Sequence, residues 1–233
     1  MSISDNLEQV KATIAAAAHA CGRESSSVSL LAVSKTFGPQ AVIAAADAGQ
    51  RAFGENYLQE ALDKQQAVAA LRPDLALDWH FIGPIQSNKT RPLAEHFAWA
   101  HAVDREKIAR RLSEQRPADL PPLNICLQVN VSGEASKSGI APADLPALAQ
   151  AVAALPRLRL RGLMAIPEPA QDIESQRKPF AQLRALQQQL RAIGIDTDTL
   201  SMGMSADMPA AIAEGATIVR IGTAIFGQRD YAK

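Results

Sequence analysis

Residues 28–49 read VSLLAVSKTFGPQAVIAAADAG, and this stretch contains the pattern that decides the fold. The run VSLLAVS at 28–34 is short and rich in aliphatic and β-branched residues, which favours a buried β-strand. Pro39 then opens an Ala-rich segment, and proline is favoured in the first turn of a helix. The stretch therefore predicts a strand that leads through a short loop into a helix.

The same alternation continues along the rest of the chain. Further short apolar runs, each followed by a helix-sized segment, lie at about 51–54, 78–83, 98–103, 123–131, 158–166, 198–202 and 217–221. Strands that alternate with helices favour a parallel sheet joined by crossover helices. Eight such units in 233 residues predict an α/β fold of the (β/α)8 TIM-barrel type. A doubly wound open sheet is the alternative, but no run is followed by the Gly-x-Gly-x-x-Gly turn of dinucleotide-binding folds.

An additional helix is predicted at the N-terminus, before the first strand. Asp5 and Glu8 have the spacing of a capping box, and the residues that follow repeat with helical period. The predicted apolar face consists of Leu7, Val10, Ile14 and Ala17. Because no change in composition marks a linker, we expect residues 1–233 to form a single domain.

The composition excludes several classes of protein. Lys plus Arg and Asp plus Glu both number 24, which argues against a nucleic-acid-binding or polybasic membrane surface. No apolar run approaches the roughly 20 residues that cross a bilayer, and no basic leader precedes the first Ala-rich stretch, so we expect a cytoplasmic protein. Cys21 and Cys126 cannot form a disulfide framework, and the four histidines lack metal-ligand spacing, so no metal site is expected.

Lys35 follows the first predicted strand directly. In TIM barrels the ligand lies at the C-terminal ends of the strands, where a lysine would be partly desolvated. Desolvation lowers the pKa of a lysine, as an amine that forms a Schiff base requires. An ordinary solvated lysine is the alternative, and position alone does not distinguish the two.

The last two strands end in residues suited to an anion. The segments SMGMS at 201–205 and RIGT at 220–223 place small, hydroxyl-bearing residues at helix starts, where backbone N–H groups can bind phosphate. Ordinary turn and capping chemistry is the alternative. A lysine opposite a phosphate site suggests pyridoxal phosphate. Arg220 at the end of the eighth strand would then leave the pyridine nitrogen an unprotonated acceptor, which makes a weak electron sink.

The segment WHFIGPIQSNK at 79–89 resembles the signature of the pyridoxal phosphate homeostasis (YggS/PROSC) family, whose members resemble the N-terminal barrel of alanine racemase. Further matching pieces follow in order along nearly the whole chain. They are AVSK (32–35), FGENY (53–57), VNV (129–131) with Glu134, Lys137, Ser138 and Gly139, GLM (162–164), SMGMS (201–205) and RIGT (220–223).

The resemblance implies one pyridoxal 5′-phosphate (PLP), bound covalently to Lys35, and a set of cofactor-binding residues. By motif these are Lys35, Asn56, His80, Ser201, Ser205, Arg220, Gly222 and Thr223. Arg220 is expected at the pyridine nitrogen, and the serines, Gly222 and Thr223 at the phosphate. Asn56 and His80 are expected near the ring, although a histidine in an apolar strand is also typical of a hydrogen-bonded core residue.

The resemblance also implies a PLP-binding protein of vitamin B6 homeostasis that holds PLP as a Schiff base, buffers it and delivers it, and not an enzyme. A racemase needs two bases; in alanine racemase the second is a tyrosine of a further domain, whereas this chain ends at Lys233 and Tyr57 is expected at a helix start. We therefore expect a monomer whose partners are PLP and apo-forms of PLP-dependent enzymes, without nucleic acid or membrane. Lys137 could compete for the aldehyde. A PLP-dependent racemase of low activity and a sugar-phosphate enzyme are the alternatives.

Overall fold

The computed structural model describes residues 2–132 and 138–228. Within these ranges, eight parallel strands pair in sequence order and close into a barrel through β8 and β1. The strands are β1 (Ser29–Val33), β2 (Ala52–Glu55), β3 (Asp78–Phe81), β4 (Trp99–Val103), β5 (Leu123–Gln128), β6 (Leu158–Met164), β7 (Thr199–Ser201) and β8 (Ile218–Ile221). The predicted TIM-type barrel is confirmed, and each observed strand lies within the run that predicted it or extends one residue beyond it.

Helices follow the strands on the outside of the barrel. They are α1 (Ile3–Ala20), α2 (Pro39–Asp47), α3 (Leu58–Leu71), α4 (Thr90–His96), α5 (Glu106–Gln115), α6 (Leu145–Ala153), α7 (Ile173–Ala192), α8 (Met208–Ala213) and α9 (Thr223–Phe226). Pro39 begins α2 as the sequence predicts, whereas Ser87 and Pro142 begin short 3-10 turns that lead into α4 and α6. The apolar sides of the helices pack on the outer faces of the strands and form the main core.

The N-terminal helix is present, but the predicted cap at Asp5 was wrong. Ser2 is the capping residue: its hydroxyl accepts from the Asp5 N–H at 3.1 Å, and the Asp5 carboxylate accepts from the Ser2 N–H at 2.9 Å. The capping box therefore starts three residues earlier than Asp5, because a serine hydroxyl three positions before the acid is already available. The buried face of α1 consists of Leu7, Val10, Ile14 and Ala18, while the predicted Ala17 is half-buried.

Helix α1 is tied to the part of the chain that follows β7 and β8. The Asn6 side chain donates to the carbonyl of Ile225 at 2.9 Å. After the helix, the Arg23 guanidinium donates to the carbonyls of Ile212 and Ala216 at 2.7 and 2.8 Å. These contacts hold the C-terminal strands and their loops against the N-terminal helix. None of the described helices is both long and apolar enough to cross a membrane.

Candidate functional site

A cavity of about 290 Å³ lies at the C-terminal end of the barrel, beside β1, β2, β7 and β8. Apolar side chains, among them Val33, Ile82 and Met204, form part of its wall. The rest of the lining includes six of the eight residues predicted to bind the cofactor: Lys35, Asn56, Ser205, Arg220, Gly222 and Thr223. The fold thus gathers residues from positions 35 to 223 around one space.

Lys35 reaches this cavity because it follows the end of β1 by two residues. It is half-buried and lies among the lining residues. The strand-end position anticipated from the sequence is therefore the position that a ligand in a TIM barrel would meet. Arg220 lies in β8, the strand that pairs with β1, where Leu31 is its register partner.

Arg220 is held rigidly beneath the cavity. Its guanidinium donates through Nη1 to the Ser201 carbonyl at 2.6 Å and to Ser201 Oγ at 2.9 Å, and through Nη2 to the Ala165 carbonyl at 2.9 Å. It is 4% exposed. Burial lowers the pKa of Arg220 to about 10, an effect that nearby Asp207 opposes, so the group stays protonated at neutral pH. The cavity therefore borders a fixed, charged hydrogen-bond donor.

Behind Arg220, a chain of hydrogen bonds runs through the barrel interior. Ser201 Oγ lies 2.8 Å from His101 Nδ1, and His101 Nε2 lies 2.9 Å from His80 Nδ1. Each neutral imidazole carries one N–H, so the tautomers of His80 and His101 set the direction of these two hydrogen bonds. Burial lowers the pKa of His80 to about 3 and that of His101 well below its ordinary value, so both rings are neutral.

Two of the predicted residues thus do not line the cavity. Ser201 and His80 are buried in the barrel interior, where they form hydrogen bonds with Arg220 and His101. The His80 ring also stacks on Trp99, with ring centroids 5.1 Å apart. Sequence reasoning missed His101, although the alternation of β4 places it on the same side of the strand as Trp99.

The side of the cavity next to β8 offers several groups to an anion. Ser205 begins the turn after β7, and Thr223 begins α9, whose first N–H groups have no acceptor within the helix. Gly222 precedes Thr223, and a Cβ there would lie 3.1 Å from the Val33 carbonyl oxygen, so the loop runs close against β1. These hydroxyl and N–H donors are of the kind that hold a phosphate.

Asn56 also lines the cavity, and its Oδ1 is buried without a hydrogen-bond partner among the described residues. A buried acceptor without a donor costs free energy, and such atoms are commonly satisfied by a bound ligand or water. The loop that carries Asn56 is packed tightly, because Gly83 approaches the Asn56 backbone so closely that a Cβ would lie 2.3 Å from its carbonyl oxygen.

A larger groove of about 620 Å³ borders the other side of Asn56. Its lining is mainly apolar and includes much of the segment 79–89, together with Tyr57 and the exposed Lys89. Tyr57 lies at the start of α3, as predicted, makes no capping hydrogen bond with its side chain, and is 54% exposed. Glu134 and Lys137 lie outside the described residues. Among the residues that are described, no group of three or more His, Cys, Asp or Glu could hold a metal ion.

This chain is similar to known proteins over nearly its whole length. The family model for the N-terminal domain of alanine racemase matches residues 6–230. A Pseudomonas aeruginosa protein named pyridoxal phosphate homeostasis protein is 66% identical over 99% of this chain and 97% of its own length. A Vibrio cholerae protein of the same name is 60% identical over 100% of this chain and 98% of its own.

This chain is also similar to a solved structure. The structure of PipY from Synechococcus elongatus PCC7942 with PLP bound has a TM-score of 0.84 and 37% identity, and the match covers 97% of this chain and 100% of that one. The resemblance inferred from the segment at 79–89 is therefore confirmed. The chain belongs to the alanine racemase N-terminal domain family and, within it, to the pyridoxal phosphate homeostasis proteins.

Proposed function

We propose that this chain binds PLP in the cavity beside β1 and β8, holds it as a Schiff base on Lys35, and buffers and delivers it to other proteins in the cytoplasm. The observation that carries the proposal is the set of groups around one cavity. The Lys35 amine at the end of β1, the Arg220 guanidinium, and the hydroxyl and N–H donors beside β8 all belong to the lining of this one cavity. The PLP-bound structure of PipY supports the same ligand class.

The residues present fit this cofactor. PLP, when bound, would supply an aldehyde, and Lys35 would supply the amine that condenses with it and releases water. Ser205, Thr223 and the first N–H groups of α9 would hold the phosphate. Arg220 would donate to the pyridine nitrogen, and Asn56 would receive a donor for its buried Oδ1 from the ligand or its hydration.

The same residues favour binding over turnover. Arg220 has a fixed proton to donate, so the pyridine nitrogen would stay an acceptor and the ring a weak electron sink. A racemase also needs two bases. Among the described residues that line the cavity, the ionisable side chains are Lys35 and Arg220, and a guanidinium does not give up its proton to act as a base. Tyr57 lines the neighbouring groove instead.

An absorbance experiment tests the binding proposal. Wild type loaded with PLP should show a visible band that borohydride abolishes, and peptide mapping should then find the reduced adduct on Lys35. Lys35→Ala should lack the band, while Lys89→Ala, a lysine exchange in the neighbouring groove, should retain it. A band that survives in Lys35→Ala, or an adduct found on another lysine, would contradict the proposal.

Delivery and turnover are tested separately. Loaded protein mixed with the apo-form of a PLP-dependent enzyme should restore that enzyme's activity, and trapping the adduct with borohydride beforehand should abolish the transfer. Amino acids incubated with the loaded protein in D2O should exchange the α-hydrogen no faster than with free PLP. Exchange above that background, lost in Lys35→Ala, would instead identify a racemase of low activity.

A further inference from the structure

We propose that Lys64, together with Glu55 and Glu60, is a positioning residue for Lys35. These three side chains form a cluster, here called the Lys64 cluster, that fixes the backbone on both sides of the reactive lysine. The inference rests on the proposed function, in which the Lys35 amine must meet an aldehyde held in the cavity. None of the three side chains lines that cavity.

Lys64 is the centre of the cluster. It projects from α3, is 4% exposed, and has all three ammonium donors satisfied. Nζ lies 2.6 Å from Glu55 Oε1, 3.0 Å from Glu60 Oε1 and 2.8 Å from the backbone carbonyl of Ser34. Two of these acceptors are carboxylate oxygens, and the third is the carbonyl oxygen of the residue immediately before Lys35.

Ser34 is held by its side chain as well as by its carbonyl. Its hydroxyl donates to Glu55 Oε1 at 2.6 Å, and the same oxygen accepts a hydrogen bond from Lys64 Nζ. Its N–H donates to the carbonyl of Gly54 in the neighbouring strand at 3.1 Å. The residue before Lys35 is therefore fixed at its N–H, carbonyl and hydroxyl groups.

Thr36, on the other side of Lys35, has a φ of +70°. A β-branched residue rarely adopts this left-handed conformation, which persists only where neighbouring contacts impose it. The Thr36 N–H donates to Glu60 Oε1 at 2.6 Å, and the same oxygen accepts from Lys64. Glu60 thus links the strained backbone after Lys35 to the ammonium that holds the backbone before it.

Lys35 consequently extends from a backbone segment that is fixed at both neighbours. Its own side chain has several rotatable bonds, so a fixed starting direction narrows the positions that the amine samples and favours reaction with a bound aldehyde. A buried ion cluster is weak evidence for stability, because desolvation opposes the ion pairs. Burial raises the pKa of Glu55, and its Oε2 has no hydrogen-bond partner, which illustrates this cost.

The test compares two cluster variants with a distant control. Lys64→Met removes the ammonium but keeps much of the side-chain length. Glu60→Ala removes the acceptor for Thr36 at a side chain that is 34% exposed, so we expect this variant to retain the fold even if Lys64→Met does not. The control is Arg116→Met, which removes another buried cation, one that donates to the carbonyls of Ala94, Phe97 and Pro121.

Two rates are measured at Lys35 by peptide mapping. The first is formation of the borohydride-trapped adduct with subsaturating PLP, and the second is modification by trinitrobenzenesulfonate without PLP. Adduct formation should fall by about tenfold in both cluster variants, because orientation toward the held aldehyde is lost. Trinitrobenzenesulfonate approaches from solution, so the rate at which it modifies Lys35 in the two cluster variants should stay within twofold of the wild-type rate at every pH tested. Arg116→Met should match wild type in both rates.

Each other result overturns the inference. Adduct formation at the wild-type rate in folded Glu60→Ala would show that the cluster does not position Lys35. An equal fall in both rates would mean that the cluster acts on the basicity of the amine, and an equal fall in Arg116→Met would mean general destabilisation. If wild type itself forms no adduct on Lys35, the proposed function fails first, and this inference fails with it.

Discussion

Ser201 and Ser205 come from one short segment, yet they have different surroundings. Ser201 ends β7 and bonds to Arg220 and His101 inside the barrel, whereas Ser205 lies in the next turn and lines the cavity. The sequence pattern SMGMS assigned both to the phosphate, because a local motif does not record which residues remain in the strand. Gly203, with a φ of +94°, separates the two environments.

Ser205→Ala should therefore weaken phosphate binding, and Ser201→Ala should not. Loss of one hydroxyl donor costs about 0.5–1.5 kcal/mol, so the dissociation constant for inorganic phosphate, measured by competition with PLP, should rise by about two- to tenfold in Ser205→Ala. Ser201→Ala should instead lower the free energy of unfolding by about 1–3 kcal/mol in a denaturant titration, because buried partners are left unsatisfied. If Ser201→Ala weakened phosphate binding and Ser205→Ala lowered the free energy of unfolding instead, the placement of the two serines would be contradicted.

The buried histidines should make stability depend on pH. The pKa of His80 is about 3 in the folded protein against an ordinary 6.5, and that of His101 is lowered in the same direction. Below pH 6.5 the unfolded chain therefore binds protons that the folded chain does not. The free energy of unfolding should fall as the pH drops from about 6.5 toward 3, by up to about 1.4 kcal/mol per pH unit for each histidine.

His80→Gln checks this dependence. The variant lacks one of the two neutral rings, so its free energy of unfolding, measured by denaturant titration at several pH values, should fall less steeply below pH 6.5 than that of wild type. His19→Gln, at an exposed position on α1, should keep the wild-type slope. Equal slopes in wild type and His80→Gln would show that the ring is not held neutral.

Among single residues, the sequence identifies those at the ends of strands better than those buried inside the barrel or between a helix and the barrel. Lys35 and Arg220 were predicted because a TIM barrel places strand ends at the ligand, and both residues line the cavity. His101 and Lys64 were missed for a different reason. Their partners lie on other strands and helices, at separations such as the 30 residues between Lys64 and Ser34, and no local period encodes those contacts.

Among the elements, the loop after β2 depends on close contact with the loop after β3. Gly83→Ala would place a Cβ 2.3 Å from the Asn56 carbonyl oxygen, so one of the two loops must move. Overpacking of this kind costs about 1–3 kcal/mol. We expect a lower unfolding temperature and, because Asn56 lines the cavity, a weaker affinity for PLP measured by absorbance titration.

Gly38→Ala provides the matched control for that exchange. Gly38 precedes α2 with a φ of −75°, and a Cβ there would lie 3.5 Å from Gln40 Oε1, an ordinary contact. This variant should bind PLP like wild type and unfold within a few degrees of it. If Gly83→Ala behaves in the same way, the contact between the two loops does not position Asn56.

The strands and helices were the most predictable level of this protein. The apolar runs located all eight strands, since a parallel strand that is covered on both sides reads as a continuous apolar segment. Element ends were less predictable: the run at 123–131 continues three residues past the end of β5. The start of α1 was misplaced because two overlapping residue pairs fit the same capping pattern, and the sequence alone does not choose between them.

For the whole molecule, the important feature is that the cavity lies beside β1 and β8, the two strands whose pairing closes the barrel. The first and last strands of the chain pair directly, with Leu31 opposite Arg220 and Ala32 opposite Ile221. Lys35 follows β1, while Thr223 follows β8. A ligand bound to both residues would therefore link the two strands whose pairing closes the barrel, in addition to the ties that α1 forms with α8 and α9.

PLP binding should thus protect the β1–β8 pair more than the rest of the barrel. In hydrogen–deuterium exchange, PLP should slow the amides of β1 and β8 by a larger factor than those of β4 and β5, because local opening of the closing pair requires the link to break. Inorganic phosphate, which would contact only the β8 side, should slow β8 without a matching effect on β1. Equal slowing of all eight strands by PLP would instead indicate global stabilisation by mass action, with no particular role for the closing pair.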